Sequence, residues 1–394
     1  MSLIKFKNEE DFSMYDFLMP SVNFMGAGSV KVVGERSKML GGKKVLLVTD
    51  PGMVQCGILD IVKGYLEEAG LKTVLFDGVE PNPKDKNIAA GLKVYKEEKC
   101  DMIVTVGGGS AHDCGKGIGI MGSHPGNIYD YAGIETLTND LPPVVCVNTT
   151  AGTASEVTRH CVVTNTDLNV KFVVVSSKNT PSLSINDPEL MVKKPAGLTA
   201  ATGMDALTHA VECYVSLGAN PVTDACAIQS IKLISKYLRL AVANGENLEA
   251  RENMAYASLL AGMAFNNGGL GYVHAMAHQL GGFYDMAHGV ANAILLPHVE
   301  RYNMISNLEK FANIAEFMGE NIQGLSLRDA SVKAIDAIAQ LSQDVGIPSG
   351  LAQFKVNPDS FEKMAQYALK DGNAGSNPIK GTEKDIIKIF EAAM

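Results

Sequence analysis

The sequence predicts an α/β N-terminal half built on a parallel sheet, followed by an all-α C-terminal half. Three observations lead there. Up to about residue 190, short β-branched runs alternate with helical stretches; after Asn186-Asp187-Pro188 the strand signal ends; and from Pro195 onward Ala, Leu, Met and Ile recur at helical spacing. Strand and helix alternating at this distance make a parallel sheet covered on both faces. At 394 residues the chain exceeds what one hydrophobic core usually serves. The change of pattern therefore reads as a boundary between domains over 1–188 and 189–394.

Taken in order, the first strand is KKVLLVTD (43–50), followed by a helix over 58–69. KTVLFDG (72–78) is the second strand and 84–98 the next helix. DMIVTVGGG (101–109) and PVVCVNTT (143–150) are two further strands, each ending in turn or polar residues. TRHCVVTNTDLNVKFVVV (158–175) differs, with two β runs around a polar turn, and predicts a hairpin appended to the sheet. In the second half, DACAIQSIKLISKYLRLAV (224–242) and KFANIAEFMG (310–319) have the apolar spacing of helices.

Composition removes several classes of function. Net charge is −9, from 34 basic and 43 acidic residues with no long single-sign block, which argues against a nucleic-acid or anionic-membrane surface. Seven cysteines without a CxxC pair read as reduced thiols of a cytoplasmic protein. The N-terminal MSLIKFKNEEDFSMYDF carries acidic residues where a signal peptide needs an apolar core. The most apolar stretch, Ala255 to Phe265, is too short to span a bilayer.

TVGGGSAHDCGKGIG (105–119) follows a strand and opens a helix. Gly107, Gly108 and Gly109 allow close backbone approach, and Ser110 is a good N-cap. The free N–H groups of that helix end suit a pyrophosphate, although a tight strand-to-helix turn would use the same residues. NTTAGTASE (148–156) adds a hydroxyl-rich loop after another strand, where Thr149, Thr150 and Thr153 can hydrogen-bond phosphate, ribose or adenine, or simply cap the loop. Asp50, at the carboxyl end of the first strand, sits where parallel-sheet proteins place ligand contacts and could accept from ribose hydroxyls.

The helical half concentrates histidine. GYVHAMAHQLGGFYDMAHG (271–289) holds His274, His278 and His288 in a chain with eight histidines. Upstream, Asp205 and His209 are four apart, so on a helix they leave one face a turn apart and can share a cation. His274 and His278 repeat that spacing, and Gly281-Gly282 is the expected break that turns His288 back toward the first helix. One Asp and three His form a mixed oxygen and nitrogen set suited to Fe(II), Zn(II), Mn(II) or Ni(II), with room for water or substrate.

These stretches, together with NFMGAGSV (23–30), VTDPGMVQCG (48–57), EPNPK (80–84), ATGMDALTHAVE (201–212) and ANAILLPHV (291–299), occur in one order over nearly the whole chain. The sequence resembles the iron-dependent (group III) alcohol dehydrogenases, which share the dehydroquinate synthase-like fold. It is most similar to the branch that includes 1,3-propanediol dehydrogenases and NAD-dependent methanol dehydrogenases. The resemblance implies a dinucleotide-binding first domain of Rossmann-like type and a metal-binding second one. It implies Asp205, His209, His274 and His288 as ligands of Fe(II), with His278 a nearby proton relay. Gly107, Gly108, Gly109 and Ser110 would hold the pyrophosphate of NAD, and Asp50, Asn82, Thr149, Thr150, Thr153 and Lys171 would line the rest of its cleft. The implied reaction is reversible hydride transfer between a small primary alcohol or diol (1,3-propanediol, ethanol, butanol, methanol) and NAD, giving an aldehyde. A homo-oligomer, dimer or larger, is expected.

The sequence departs from the family at three places: Ala111 where Pro is frequent, Ala154 where Gly is frequent, and no cysteine in LKDGNAGSNP (369–378). Two related activities are alternatives, a glycerol dehydrogenase-like polyol oxidation and a dehydroquinate synthase-like lyase. The apolar surroundings of the histidines (Ala, Met, Leu, Phe, Tyr) favour a small neutral alcohol over an anionic substrate.

Overall fold

The computed structural model describes residues 15–167 and 170–394. The chain begins with β1 (Asn23–Met25), α1 (Val33–Met39), β2 (Lys44–Thr49), α2 (Pro51–Gln55), α3 (Ile58–Glu68), β3 (Lys72–Phe76) and α4 (Asp85–Glu97). It continues with β4 (Met102–Gly107), α5 (Gly109–Ser123), β5 (Gly133–Ile134), β6 (Val144–Asn148), β7 (His160–Asn165), β8 (Val170–Val175) and β9 (Leu183–Asn186). Six of these strands make one parallel sheet in the order β1-β9-β6-β4-β2-β3. The central strands β4 and β6 are buried throughout, as near-continuous apolar runs under two layers of helix must be. On one face Leu46, Val48 and Ile103 pack with Ile88 of α4 and Ile118 of α5. On the other, Val45, Leu47 and Val104 pack with Val33 of α1 and Val62 and Leu66 of α3.

Register along this sheet sets up the ligand edge. Thr49 of β2 pairs with Val106 of β4, and Gly107 of β4 pairs with Asn148 of β6. Three neighbouring strands thus end together, and Asp50, Gly108 and Thr149 follow directly.

The hairpin forms, with β7 and β8 antiparallel, but it is not appended to the large sheet. It joins β5 in a separate three-stranded sheet, β5-β8-β7. Part of its turn, residues 168 and 169, lies outside the described residues. β1, β5 and β9 had no sequence signal of their own; they are three, two and four residues long.

The C-terminal part is helical: α6 (Ala196–Val215), α7 (Pro221–Ala243), α8 (Leu248–Gly268), α9 (Tyr272–Tyr284), α10 (His288–Asn303), α11 (Leu308–Phe317), α12 (Leu327–Asp344), α13 (Phe361–Ala368) and α14 (Glu383–Ala392). α6 is buried along almost its whole length, with α7, α8 and α10 packed around it. The apolar stretch 255–265 falls inside α8, and among the described residues no helix is long and apolar enough to cross a membrane.

Gly281 and Gly282 are not the expected break. Both lie within α9, which ends at Asp285 in the left-handed region, φ 50°. Packing overrides the roughly 1 kcal/mol a helical glycine costs, and Asp is among the few residues that adopt that conformation readily. A Cβ at Gly281 would lie 2.9 Å from Nζ of Lys171, so the glycine makes room for that lysine.

Candidate active site

α6 presents Asp205 and His209 from consecutive turns, α9 supplies His274, and α10 starts at His288. Asp205 Oδ1 lies 3.9 Å from His274 Nε2 and 3.6 Å from His288 Nε2. Its other oxygen lies 3.9 Å from His209 Nδ1. Ligand atoms about 2.1 Å from a tetrahedral divalent ion stand roughly 3.4 Å apart, close to this spacing. His209 Nδ1 is buried without a hydrogen-bond partner. The donor set and that orphaned nitrogen fit a divalent cation. His288 is the most open member, its side chain 24% exposed, whereas Asp205, His209 and His274 are buried.

Electrostatics agree with that fit. Burial holds the His209 and His288 imidazoles well below their usual range and His274 at about 4, so all three are neutral near pH 7 and keep lone pairs for a metal. Burial also raises the Asp205 carboxyl, opposed by His274 and by the Asn292 amide. A buried carboxylate among neutral rings is costly unless a cation shares its charge.

Two supporting residues were missed in the sequence. Glu212, one turn beyond His209 on α6, meets His274 Nδ1 at 2.5 Å and accepts from the Val273 N–H at 2.7 Å. It fixes that ring and leaves Nε2 toward Asp205, the usual way a second carboxylate orients a ligand histidine. Asn292, one turn after His288 on α10, donates through Nδ2 to Asp205 Oδ1 at 2.6 Å and lies 3.1 and 3.2 Å from Nε2 of His274 and His288. The only sequence signals were the positions i+3 from His209 and i+4 from His288. Phe265 of α8 stacks on the His209 ring at 4.2 Å and supplies an apolar wall.

His278 sits beside this group. Its ring is nearly parallel to that of His288 at 5.7 Å, and its Nδ1 lies 2.7 Å from Asp371 Oδ2.

At the sheet edge, Asp50 caps α2, with Oδ1 accepting from Gly52 N–H at 2.8 Å and Met53 N–H at 3.2 Å. Its Oδ2 faces Gly107, 3.5 Å from where a Cβ there would stand. Gly107 itself has φ 153°, a value side chains rarely allow. A Cβ on Gly108 would meet Thr150 Oγ1 at 2.7 Å, and one on Gly109 would meet Thr153 Oγ1 at 2.7 Å. The glycine run and the threonine loop are therefore in close contact, and α5 opens there with its first N–H groups directed at the edge. This backbone cradle, which side chains would fill, fits a dinucleotide pyrophosphate. The N-cap of α5 is Gly108, however, and Ser110 falls inside the first turn. Thr149 Oγ1 approaches Met53 Sδ at 3.6 Å, and Thr149 and Thr150 line a narrow crevice with Lys194, Thr199 and Arg251. These last three had not been singled out.

Asn82 and Lys171 connect differently. Lys171 Nζ donates to Asn82 Oδ1 at 2.9 Å, and Asn82 Nδ2 donates to Asp285 Oδ1 at 3.2 Å, joining the α/β part to the end of α9. Burial lowers the Lys171 ammonium to about 8, with Asp285, Asp113 and Asp205 opposing. Lys171 thus feels both the sheet side and the Asp205 cluster.

A glycine–threonine cradle at the sheet edge and a buried histidine–aspartate group in the helical part are together what a metal-dependent dehydrogenase needs. Residues 20–188 match the model for iron-containing alcohol dehydrogenases, and 199–394 match that for the Fe-containing alcohol dehydrogenase family, C-terminal. The chain belongs to this family and is an NAD-linked alcohol oxidoreductase. It is 67% identical over 384 residues to 1,3-propanediol dehydrogenase of Citrobacter freundii, covering 97% of this chain and 99% of the relative. It is 48% identical to the NAD-dependent methanol dehydrogenase of Bacillus methanolicus, covering 97% and 100%. Among solved structures, a 1,3-propanediol oxidoreductase superposes with a TM-score of 0.95 at 67% identity, over 97% of this chain and all of the other. An alcohol dehydrogenase from Oenococcus oeni gives 0.95 at 56% identity with the same coverage.

Proposed function

We propose that the protein interconverts small uncharged primary alcohols or diols, 1,3-propanediol foremost, with their aldehydes, using NAD and Fe(II). The observation that carries this is the buried group of Asp205, His209 and His274, with His288 Nε2 3.6 Å from Asp205 Oδ1 and Phe265 stacked on His209. Fe(II) held by those four side chains would supply Lewis acidity toward the alcohol oxygen, and NAD the hydride acceptor. The α/β part, 1–188, presents the dinucleotide and the helical part, 189–394, presents the metal. Gly107 to Ser110 offer backbone N–H groups to the pyrophosphate. Asp50 accepts from the adenosine ribose, and Thr149, Thr150, Thr153, Asn82 and Lys171 line the remaining length of the cleft. His278 takes up or returns the alcohol proton.

The similarity to 1,3-propanediol dehydrogenases and the neutral imidazoles around Asp205 support an uncharged substrate. A reducing, cytoplasmic setting is supported by seven cysteines, all free. A homo-oligomer is supported by Tyr15, Phe17, Met19, Val22 and Met25, exposed apolar side chains leading into and along the edge strand β1.

The deciding experiment is NADH formation with a panel of 1,3-propanediol, short alcohols, glycerol and anionic alcohols, with and without added Fe(II). Turnover confined to carboxylated or phosphorylated substrates would reject this function.

A further inference from the structure

We propose that Asp371 is the positioning partner of His278. Its carboxylate holds the imidazole as the Nδ1–H tautomer and leaves Nε2 as the base. This rests on the reading of His278 as the proton relay.

The carboxylate is fixed from both sides. Asp371 Oδ1 accepts from the Asn373 N–H at 2.9 Å, which caps a single turn over Gly372–Ser376. That anchors one oxygen on local backbone and aims the other at His278 Nδ1, 2.7 Å away. The two residues are 93 apart in sequence, on α9 and beyond α13, so the contact is not a by-product of local helix geometry. The segment is pinned again at its far end, where Asn377 Oδ1 accepts from the Tyr272 N–H at 3.1 Å at the start of α9. Both groups are largely sealed from water, with side chains 9% and 15% exposed. Burial alone would raise the Asp371 carboxyl, but its pairing with His278 and the Asn373 N–H outweigh burial and hold it below the usual carboxylate range. Asp371 is therefore an ionised acceptor.

An acceptor-only group at Nδ1 dictates the tautomer. The proton of the neutral ring must sit on Nδ1, so the lone pair is on Nε2. His278 is placed beside the ligand group, its ring stacked on His288. In alcohol oxidation NAD would supply the acceptor for the hydride of the C–H bond, and His278 Nε2 would take the O–H proton. The imidazolium so formed stays paired with the Asp371 carboxylate. Aldehyde reduction runs the same transfers backward.

The test uses the metal-loaded enzyme. Asp371→Asn should lower kcat about 10- to 100-fold, the usual cost of losing a group that orients a working histidine, while KM for the alcohol changes by less than roughly threefold. Metal content should be unchanged. His278→Ala should cost at least as much, and His278→Ala with Asp371→Asn should be no slower than His278→Ala alone. Losses that multiply in the double variant, or an Asp371→Asn enzyme with unaltered kcat, would overturn the pairing. Should the variant fold poorly, nitrogen-15 shifts of His278 in the unmodified Zn(II)-loaded protein decide it: the Nδ1–H pattern is expected, and a dominant Nε2–H form refutes the proposal. A His278→Ala enzyme of full activity would instead reject the relay itself, whatever Asp371 does.

Discussion

Replacing Asp50 by Gly should open the enzyme to NADP. The carboxylate uses Oδ1 to cap α2 and turns Oδ2 toward Gly107, at the joint carboxyl end of β2, β4 and β6. NADP would bring a doubly charged phosphate to the ribose position. At ~5 Å and an effective dielectric near 20 the repulsion is about 7 kcal/mol before screening. Salt, side-chain movement and Lys194, close enough for its charge to interact with Asp50, reduce this strongly. A preference for NAD of at least about tenfold, ~1.4 kcal/mol, should remain in the unmodified enzyme. Folding should survive the change, because Gly at an N-cap costs only a few tenths of a kcal/mol relative to Asp and Pro51 stays at the first helical position. In Asp50→Gly the opposing carboxylate is gone, so kcat/KM with NADP should rise at least tenfold while that with NAD falls only modestly. The assay is kcat/KM for both cofactors at fixed alcohol and ionic strength. Equal efficiencies in the unmodified enzyme, or an unchanged ratio in the variant, would show that Asp50 does not face the ribose.

Alanine at Asp205, His209, His274 or His288 should lose bound metal and reduce turnover by orders of magnitude in a chain that stays folded. Full metal content in His274→Ala or His288→Ala would remove that residue from the ligand set. His278→Ala should keep its metal and change the pH–rate profile, and loss of metal there would make His278 a ligand. His112 bears on stability instead: burial, then the Lys116 charge, lowers its ring to about 3. As pH falls below 6.5 the unfolded chain takes up a proton the folded one refuses, so stability from this group is complete above 6.5 and is lost on the way down toward 3. At pH 5 that loss is ~2 kcal/mol. The drop in urea-unfolding free energy between pH 7.5 and pH 5 should therefore be ~2 kcal/mol smaller in His112→Asn, and parallel declines would refute the assignment.

The clustering of Asp205 and His209 was legible because helical periodicity converts sequence spacing directly into geometry. Asp205 and His209 needed only an unbroken helix to share a face, and α6 is unbroken from Ala196 to Val215. Glu212, Asn292 and Asp371 were illegible for the opposite reason. They act on His274, Asp205 and His278, partners 62, 87 and 93 residues away, and such distances carry no local pattern. Local signals also failed where packing outweighed them. Gly281 and Gly282 signalled a break, yet the helix continues past them and the turn falls at Asp285. Ser110 has good capping chemistry, but Gly108 is the residue in the extended conformation a cap requires, with φ −98° and ψ −160°.

The nucleotide end shows why a glycine run alone left two readings open. Gly108 and Gly109 are required by the protein itself, because a Cβ on either would run into Thr150 or Thr153. A tight packing joint would select the same residues as a pyrophosphate cradle, so their presence cannot separate the two. Strand register adds an observation that favours the cradle. β2, β4 and β6 end side by side, and the residues that follow are a carboxylate, the glycine that caps α5 and a threonine. Packing has no need to bring those three chemistries to one edge, whereas a ribose, a pyrophosphate and their neighbouring hydroxyls do. The alignment across strands, set by the β2–β4 and β4–β6 ladders, supports the cradle reading where the motif alone is neutral.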